Sequence, residues 1–250
     1  MARTLAERGD RVFITGRRTE PLNEAIDAIR RAGGSVDGIA ADATSPAGAQ
    51  RMVEAAADAM GGIDVLVNAI GVSDRGKIED LDADHATALF DVNVLAVMRC
   101  CVAAKSHLKR RGKPGGVIVN VGSLAGKVGS RYIGGYTMAK HALTGMTQQL
   151  RLEWYDDGIH VGIVHPGPIR RPDAGRRYKT DGSIPASAAA PGGGAKIDGL
   201  PPETVVAAIL RIIDRRVADI VLPAKMRWLI TLGNASPRLG DWLIRRYTNA

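Results

Sequence analysis

Tyr136 and Lys140 stand four residues apart, downstream of Ser123, and Ser123 is delivered by the apolar run Val117 to Val121. On a helix that spacing puts phenol and ammonium on one face, about one turn apart. A tyrosine titrates near ~10, and a neighbouring cation favours the phenolate and lowers that value. A serine hydroxyl nearby holds a substrate carbonyl against the phenol. These types suit reduction of a ketone, with Tyr136 as proton donor. Tyr-x-x-x-Lys alone is more often just an exposed aromatic beside a solvated lysine, so the elements around it decide.

Those elements read as strand and helix in turn. Met1 to Glu7 is the tail of a helix closed by Gly9, and Arg11 to Thr15 is a short buried strand. Thr19 is placed to cap the next helix, with Leu22, Ala25, Ile26 and Ile29 at one-face spacing before Gly33-Gly34. A strand from Ser35 to Ala40 leads to Asp42, and Ser45-Pro46 opens a helix by cap and first-turn proline. Ile63 to Val67 is a third strand, and a long helix spans about Asp82 to Arg111. After Pro114-Gly115-Gly116 come the Ser123 strand, the Tyr/Lys helix, a strand from Ile159 to Val164, a helix from Pro202 to Arg215 and a strand from Asp219 to Leu222. This alternation predicts one α/β domain, a doubly wound parallel sheet with helices on both faces. Ligands in such sheets sit at the carboxyl ends of the strands. Asp42, Asn68, Ser123 and Pro166-Gly167 all fall just past strand ends.

The composition fits. The chain has 250 residues, 45% of them apolar, which allows one large domain with an ample core. No uninterrupted apolar run reaches the roughly 18 to 20 residues of a membrane span, and no signal peptide opens the sequence. Cys100 and Cys101 are neighbours on a predicted helix, a poor geometry for a mutual disulfide, and read as two thiols of a reducing cytoplasm. The five histidines show no paired spacing, so no metal site is expected. A net charge of +8 permits anionic partners. Its arginines are scattered, without the basic block interleaved with aromatics of a nucleic-acid surface.

The order strand, Ser123 loop, Tyr136/Lys140 helix resembles the short-chain dehydrogenase/reductase family, over about Ala2 to Ile169. The resemblance implies a Rossmann-like fold in which Ser123, Tyr136 and Lys140 are catalytic, joined by Asn93 of Asp91-Val-Asn-Val, which in that family holds a water linking the lysine to solvent. Asn68-Ala69-Ile70-Gly71 is similar to the family's Asn-Asn-Ala-Gly element near the adenosine, with only Asn68 and Gly71 carried over. Asp42 resembles the aspartate that meets the adenine amino group; capping the following helix is its competing role. Pro166 and Gly167 would line the nicotinamide, with Ile169 near its carboxamide. Arg170-Arg171-Pro172 stand where the family often has a threonine.

Cofactor preference follows from charge. A dinucleotide without the 2′-phosphate wants an acid at the end of the second family strand, whereas the phosphorylated form wants a cation. Here that strand ends Thr15-Gly16-Arg17-Arg18. NADP(H) is therefore expected over NAD(H), with Arg17 and Arg18 as the clamp; two solvated arginines is the competing reading.

The glycine-rich turn with which the family opens, where pyrophosphate meets backbone N–H groups, does not occur in this sequence. In the family order the corresponding first strand lies mid-sheet. Without it, its neighbours are expected either two spacings apart with unpaired backbone, or directly paired after repacking of both helical layers. An upstream start or a fragment is the sequence-level explanation, and weak or absent NADPH binding the expected consequence. The alternative to an enzyme is a non-catalytic remnant of the fold, kept for binding or subunit interaction.

Residues 170–199 take the place of the family's substrate loop and read as a mobile lid or a surface insert. Residues 224–250 form a helical extension in which Trp228, Leu232, Leu239 and Trp242 stand among Arg227, Arg238, Arg245 and Arg246. Packing on the domain or on a second copy, cover for an apolar or lipid-like carbonyl substrate, and peripheral membrane contact are the readings of that segment. A homo-oligomer is expected.

Overall fold

The computed structural model describes residues 1–109, 114–171, 184–190, 192–194 and 198–247. Its strands are β1 (Val12–Gly16), β2 (Val36–Ala40), β3 (Val65–Asn68), β4 (Val117–Val121), β5 (His160–Pro166) and β6 (Asp219–Leu222). Between and around them run α1 (Ala2–Glu7), α2 (Thr19–Arg31), α3 (Pro46–Met60), α4 (Ala83–Phe90), α5 (Ala96–Leu108), α6 (Gly134–Glu153), α7 (Pro202–Arg215), α8 (Lys225–Ala235) and α9 (Pro237–Tyr247). All strand pairs are parallel.

Strand β4 shows why the sheet holds. It alternates every residue and is apolar on both faces, as a doubly covered parallel strand must be. Val117 and Val119 join Val205, Ala208, Ile209 and Ile212 of α7 on one side. Ile118 joins Val97 and Cys101 of α5 with Leu143 and Leu150 of α6 on the other. Val161 and Ile163 of β5 fall on the α5/α6 side and Val164 on the α7 side, the same period of two. Each such fully buried aliphatic contributes roughly 1.5–3 kcal/mol of transfer free energy.

The sheet is split. β1 pairs only with β2, while β3, β4, β5 and β6 form a second sheet in that order. Of the two outcomes expected for the missing central strand, the unpaired one is found: no ladder joins β1 to β3. Helix α3 holds the halves together, packing on β1, on β2 and on α5.

Local chemistry sets the helix starts with two exceptions to the sequence reading. Ser45 caps α3 through its hydroxyl, which accepts from the N–H of Gly48 at 2.9 Å, and Asp82 caps α4 by accepting from His85 N–H at 2.7 Å. Thr19 does not cap α2. The chain is still extended at Arg18 (φ −105°, ψ 121°), so Arg18 takes the cap position and no side chain bonds there. The long helix expected from Asp82 is interrupted by a π-helical turn at Asp91–Leu95, and its predicted end at Arg111 lies outside the described residues. By length and composition the stretch Ala83–Leu108 is able to cross a membrane. Its side chains Ala96, Val97, Cys101, Ala104 and Leu108 are almost wholly buried against the domain, as those of a core helix are.

Candidate active site

The strand β4 ends at Val121, and the next residues turn sharply. Gly122 is tightly enclosed, since a Cβ there would lie 3.0 Å from His165 Nδ1 and Ile163 Cδ1 and its neighbours would have to give way. Ser123 then opens a short 3-10 turn, its Oγ accepting from Ala125 N–H at 3.2 Å. That bond uses a lone pair and leaves the hydroxyl proton for a substrate oxygen.

Helix α6 brings up Tyr136 and Lys140. Asp74 caps its first turn by accepting from the N–H of Tyr136 at 3.1 Å. Lys140 is 3% exposed, and its Nζ donates to the carbonyl of Val121 at 3.2 Å and lies 5.6 Å from the centre of the Tyr136 ring. Burial pushes the Lys140 ammonium down to about 8.

Asn93 sits in the π-helical turn, fully buried. Its Nδ2 donates to the carbonyls of Val72 and Leu89 at 3.0 and 2.9 Å, so its Oδ1 is aimed the other way and finds no protein donor among the described residues. Asn93 Oδ1 and Lys140 Nζ converge on Gly71. A Cβ on Gly71 would lie 2.6 Å from the first and 3.2 Å from the second, and its φ of 156° also favours glycine.

One cavity of about 910 Å³ gathers these parts. Gly71, Ser123, Tyr136, Lys140, Pro166, Gly167 and Ile169, all singled out in the sequence, line it. Asn93 stands behind its wall. The other residues singled out for a cofactor lie elsewhere. Arg17 and Arg18 are exposed at the end of β1, and Asp42 is exposed after β2, its carboxyl lowered by the backbone N–H and side chain of Thr44 and then by the charge of Arg17. Asn68 is buried in the sheet, its Nδ2 donating to Asn120 Oδ1 at 2.9 Å. Asn120 in turn donates to Thr147 Oγ1 at 2.9 Å. Asn68 thus braces β3 to β4 and α6 and does not reach the cavity. The expected lid, residues 170–199, falls largely outside the described residues.

Several lining or supporting groups carry no local sequence signal. Arg75 ties the cavity rim together, its guanidinium donating to the carbonyls of Asp74, Ala188 and Ala190 at 2.6, 2.6 and 3.2 Å. His165, fully buried, places Nδ1 3.1 Å from the carbonyl of Ser123. Helices α8 and α9 form part of the cavity wall through Met226, Leu229, Ile230, Leu243 and Ile244.

The profile described as short chain dehydrogenase matches residues 1–181. The chain belongs to the short-chain dehydrogenase family. It is 30% identical over 247 residues to an oxidoreductase of Bacillus subtilis, YxnA, covering 98% of this chain and 67% of that one. It is 26% identical over 252 residues to the ketoacyl reductase HetN of Nostoc, covering 98% and 83%. Among solved structures, the actinorhodin polyketide ketoreductase with NADPH superposes with a TM-score of 0.76 at 26% identity, over 88% of this chain and 89% of that one. A short chain dehydrogenase from Burkholderia cenocepacia in complex with NADP gives 0.73 at 28% identity, over 89% and 90%. This short-chain dehydrogenase is accordingly an oxidoreductase of a family that uses NAD(P) and acts on alcohols and ketones.

Proposed function

We propose that this short-chain dehydrogenase interconverts an apolar ketone and its secondary alcohol, with NADP(H) preferred over NAD(H). The observation that carries the proposal is the convergence of Ser123, Tyr136 and Lys140 on one cavity. When bound, the dinucleotide supplies or accepts the hydride. Ser123 donates its free hydroxyl proton to the carbonyl oxygen and holds it beside Tyr136. Tyr136 gives that oxygen a proton as negative charge develops there. Lys140, charged below about 8, stabilises the phenolate left behind. The unsatisfied Oδ1 of Asn93 and the bare backbone of Gly71 suit the close polar contacts that a ribose and its proton path require.

NADP(H) is favoured by Arg17 and Arg18, exposed guanidiniums with no acid at that strand end. Two of the similar solved structures contain NADP or NADPH. The apolar substrate is favoured by Met226, Leu229, Ile230, Leu243 and Ile244 in the cavity wall. Exposed Met98 and Val102 on α5 with Leu152 on α6 favour pairing with a second copy. Screening NADPH oxidation against methyl ketones of rising chain length tests the proposal: rates should climb with length, and no turnover of any carbonyl would end it.

A second reading, a binding module on the same fold, is favoured by the break between β1 and β3 and by the lack of a glycine-rich turn. NADPH fluorescence on mixing separates the two, since a binding module gives no change at any concentration.

A further inference from the structure

Helices α8 and α9 form a hairpin whose two faces differ in kind. The helices cross at Gly233 and Gly240, where a Cβ on Gly240 would come within 3.0 Å of the Gly233 backbone. Met226, Leu229, Ile230 and Gly233 of α8, and Gly240, Leu243 and Ile244 of α9, face the cavity. The opposite faces of the two helices make up the exposed surface of the hairpin.

That surface is apolar and cationic together. Trp228 is 79% exposed, Leu232 50% and Trp242 55%. Around them stand Arg227, Arg238, Arg245 and Arg246, all exposed, with Arg246 packed 5.6 Å from the centre of the Trp242 ring. The one acid between residues 224 and 247, Asp241, lines the cavity instead. Tryptophans exposed to this degree are costly in water, and the indole ring is the side chain that settles at the headgroup level of a bilayer. Guanidiniums ringed about them match anionic headgroups. A second copy is a poor occupant, because self-pairing would set arginine against arginine with no acid between them.

We propose that the outer face of the α8–α9 hairpin docks this protein on anionic phospholipid bilayers. Trp228, Leu232 and Trp242 enter the headgroup boundary while the four arginines pair with lipid phosphates. The inner face keeps its place in the cavity wall. The docked cavity then lies about one helix diameter, ~10 Å, from the hydrocarbon, within reach of an apolar substrate leaving it. The proposal stands independently of the carbonyl chemistry, because its test measures no turnover.

The test is flotation of the full chain with vesicles of phosphatidylcholine, with and without phosphatidylglycerol, followed by tryptophan emission. Trp154 is buried, so a change in emission reports Trp228 and Trp242. The wild-type protein is expected to float only with phosphatidylglycerol vesicles, to blue-shift as it binds, and to be released by salt. W228S/W242S and R227Q/R238Q/R245Q/R246Q should each lower the partition coefficient at least tenfold, given roughly fivefold per cation near a charged surface. Thermal unfolding checks that the variants remain folded; if either does not, the wild-type comparison between the two lipid compositions decides alone. A wild-type chain that stays unbound on phosphatidylglycerol vesicles overturns the proposal. So does a dimer on sizing that W228S/W242S converts to monomer, which would assign the face to a second copy.

Discussion

His165 Nδ1 lies 3.1 Å from the carbonyl oxygen of Ser123, and its other ring nitrogen lies 3.4 Å from Asp219 Oδ2. A carbonyl only accepts, so Nδ1 carries the proton. Lys127, four residues beyond Ser123, reaches the same carboxylate oxygen at 2.6 Å. Burial pushes the Asp219 carboxyl up, but His165 and Lys127 together outweigh it and hold the group at about 2. Lys127 thus ties the far end of the Ser123 turn to Asp219 on β6, while His165 holds its start through the Ser123 carbonyl.

That anchoring makes His165 a positioning residue for Ser123. H165L is expected to lower kcat for ketone reduction about 10- to 100-fold, the scale of a misplacement near 1 Å. H165N, whose amide reaches the Nδ1 position, should recover most of it. In an S123A background H165L should have no further effect on kcat, whereas a residue that only supports the fold would lower both backgrounds alike.

Gly71 is the second such point. A methyl group there would meet Asn93 Oδ1 at 2.6 Å and Lys140 Nζ at 3.2 Å. G71A should therefore cost activity by at least tenfold and also lower the unfolding temperature, because the φ of 156° strains any side chain and Asn93 is fully buried and held by two hydrogen bonds. Steady-state kinetics beside a thermal melt measures both.

Lys140 sets a pH dependence with a definite sign. Burial lowers its folded value to about 8 from 10.5, so the buried charge destabilises the fold in full below pH 8. The unfolded chain binds the extra proton between those values, and stability should rise with pH across that window. K140M should stabilise the protein at pH 7 by up to about 3 kcal/mol, at 1.36 kcal/mol per pH unit, and abolish turnover. Reduction by the wild-type enzyme should fall as pH rises through about 8, and K140R should move that fall upward because guanidinium stays charged.

Much of this was legible in sequence for a physical reason. A strand buried on both faces reads as a nearly continuous apolar run, which made β4 plain despite Asn120, and Pro202 and Ser45-Pro46 mark helix starts by first-turn proline and, at Ser45, a cap. The Ser123, Tyr136 and Lys140 set was legible because strand end and helical spacing fix it locally. The π-helical turn at Asn93 was not, since an extra residue in one turn leaves the apolar periodicity nearly intact. His165 and Arg75 were hidden because their partners, Asp219 and the carbonyls of Ala188 and Ala190, are distant in sequence. The cavity wall from α8 and α9 is likewise a matter of long-range packing. The break between β1 and β3 was one of two outcomes the sequence left open, direct pairing of the two strands being the other.

Cofactor binding carries two linked expectations. With β1 and β3 unpaired and no glycine-rich turn, the 250-residue chain should bind NADPH with a Kd well above the low-micromolar range. R17Q/R18Q should weaken NADPH at least tenfold and leave NADH nearly unchanged, since the lost contacts are charge-assisted bonds to a 2′-phosphate. Fluorescence titration of both nucleotides reads each effect.

The central claim is that Tyr136 protonates a carbonyl oxygen held by Ser123. Its most direct measurement is kcat for ketone reduction at saturating NADPH, wild type against Y136F, both checked for fold. The account expects turnover by the wild-type enzyme and a loss of about 10²- to 10⁴-fold in Y136F, the range for removal of a general acid. A Y136F enzyme as fast as wild type would contradict it.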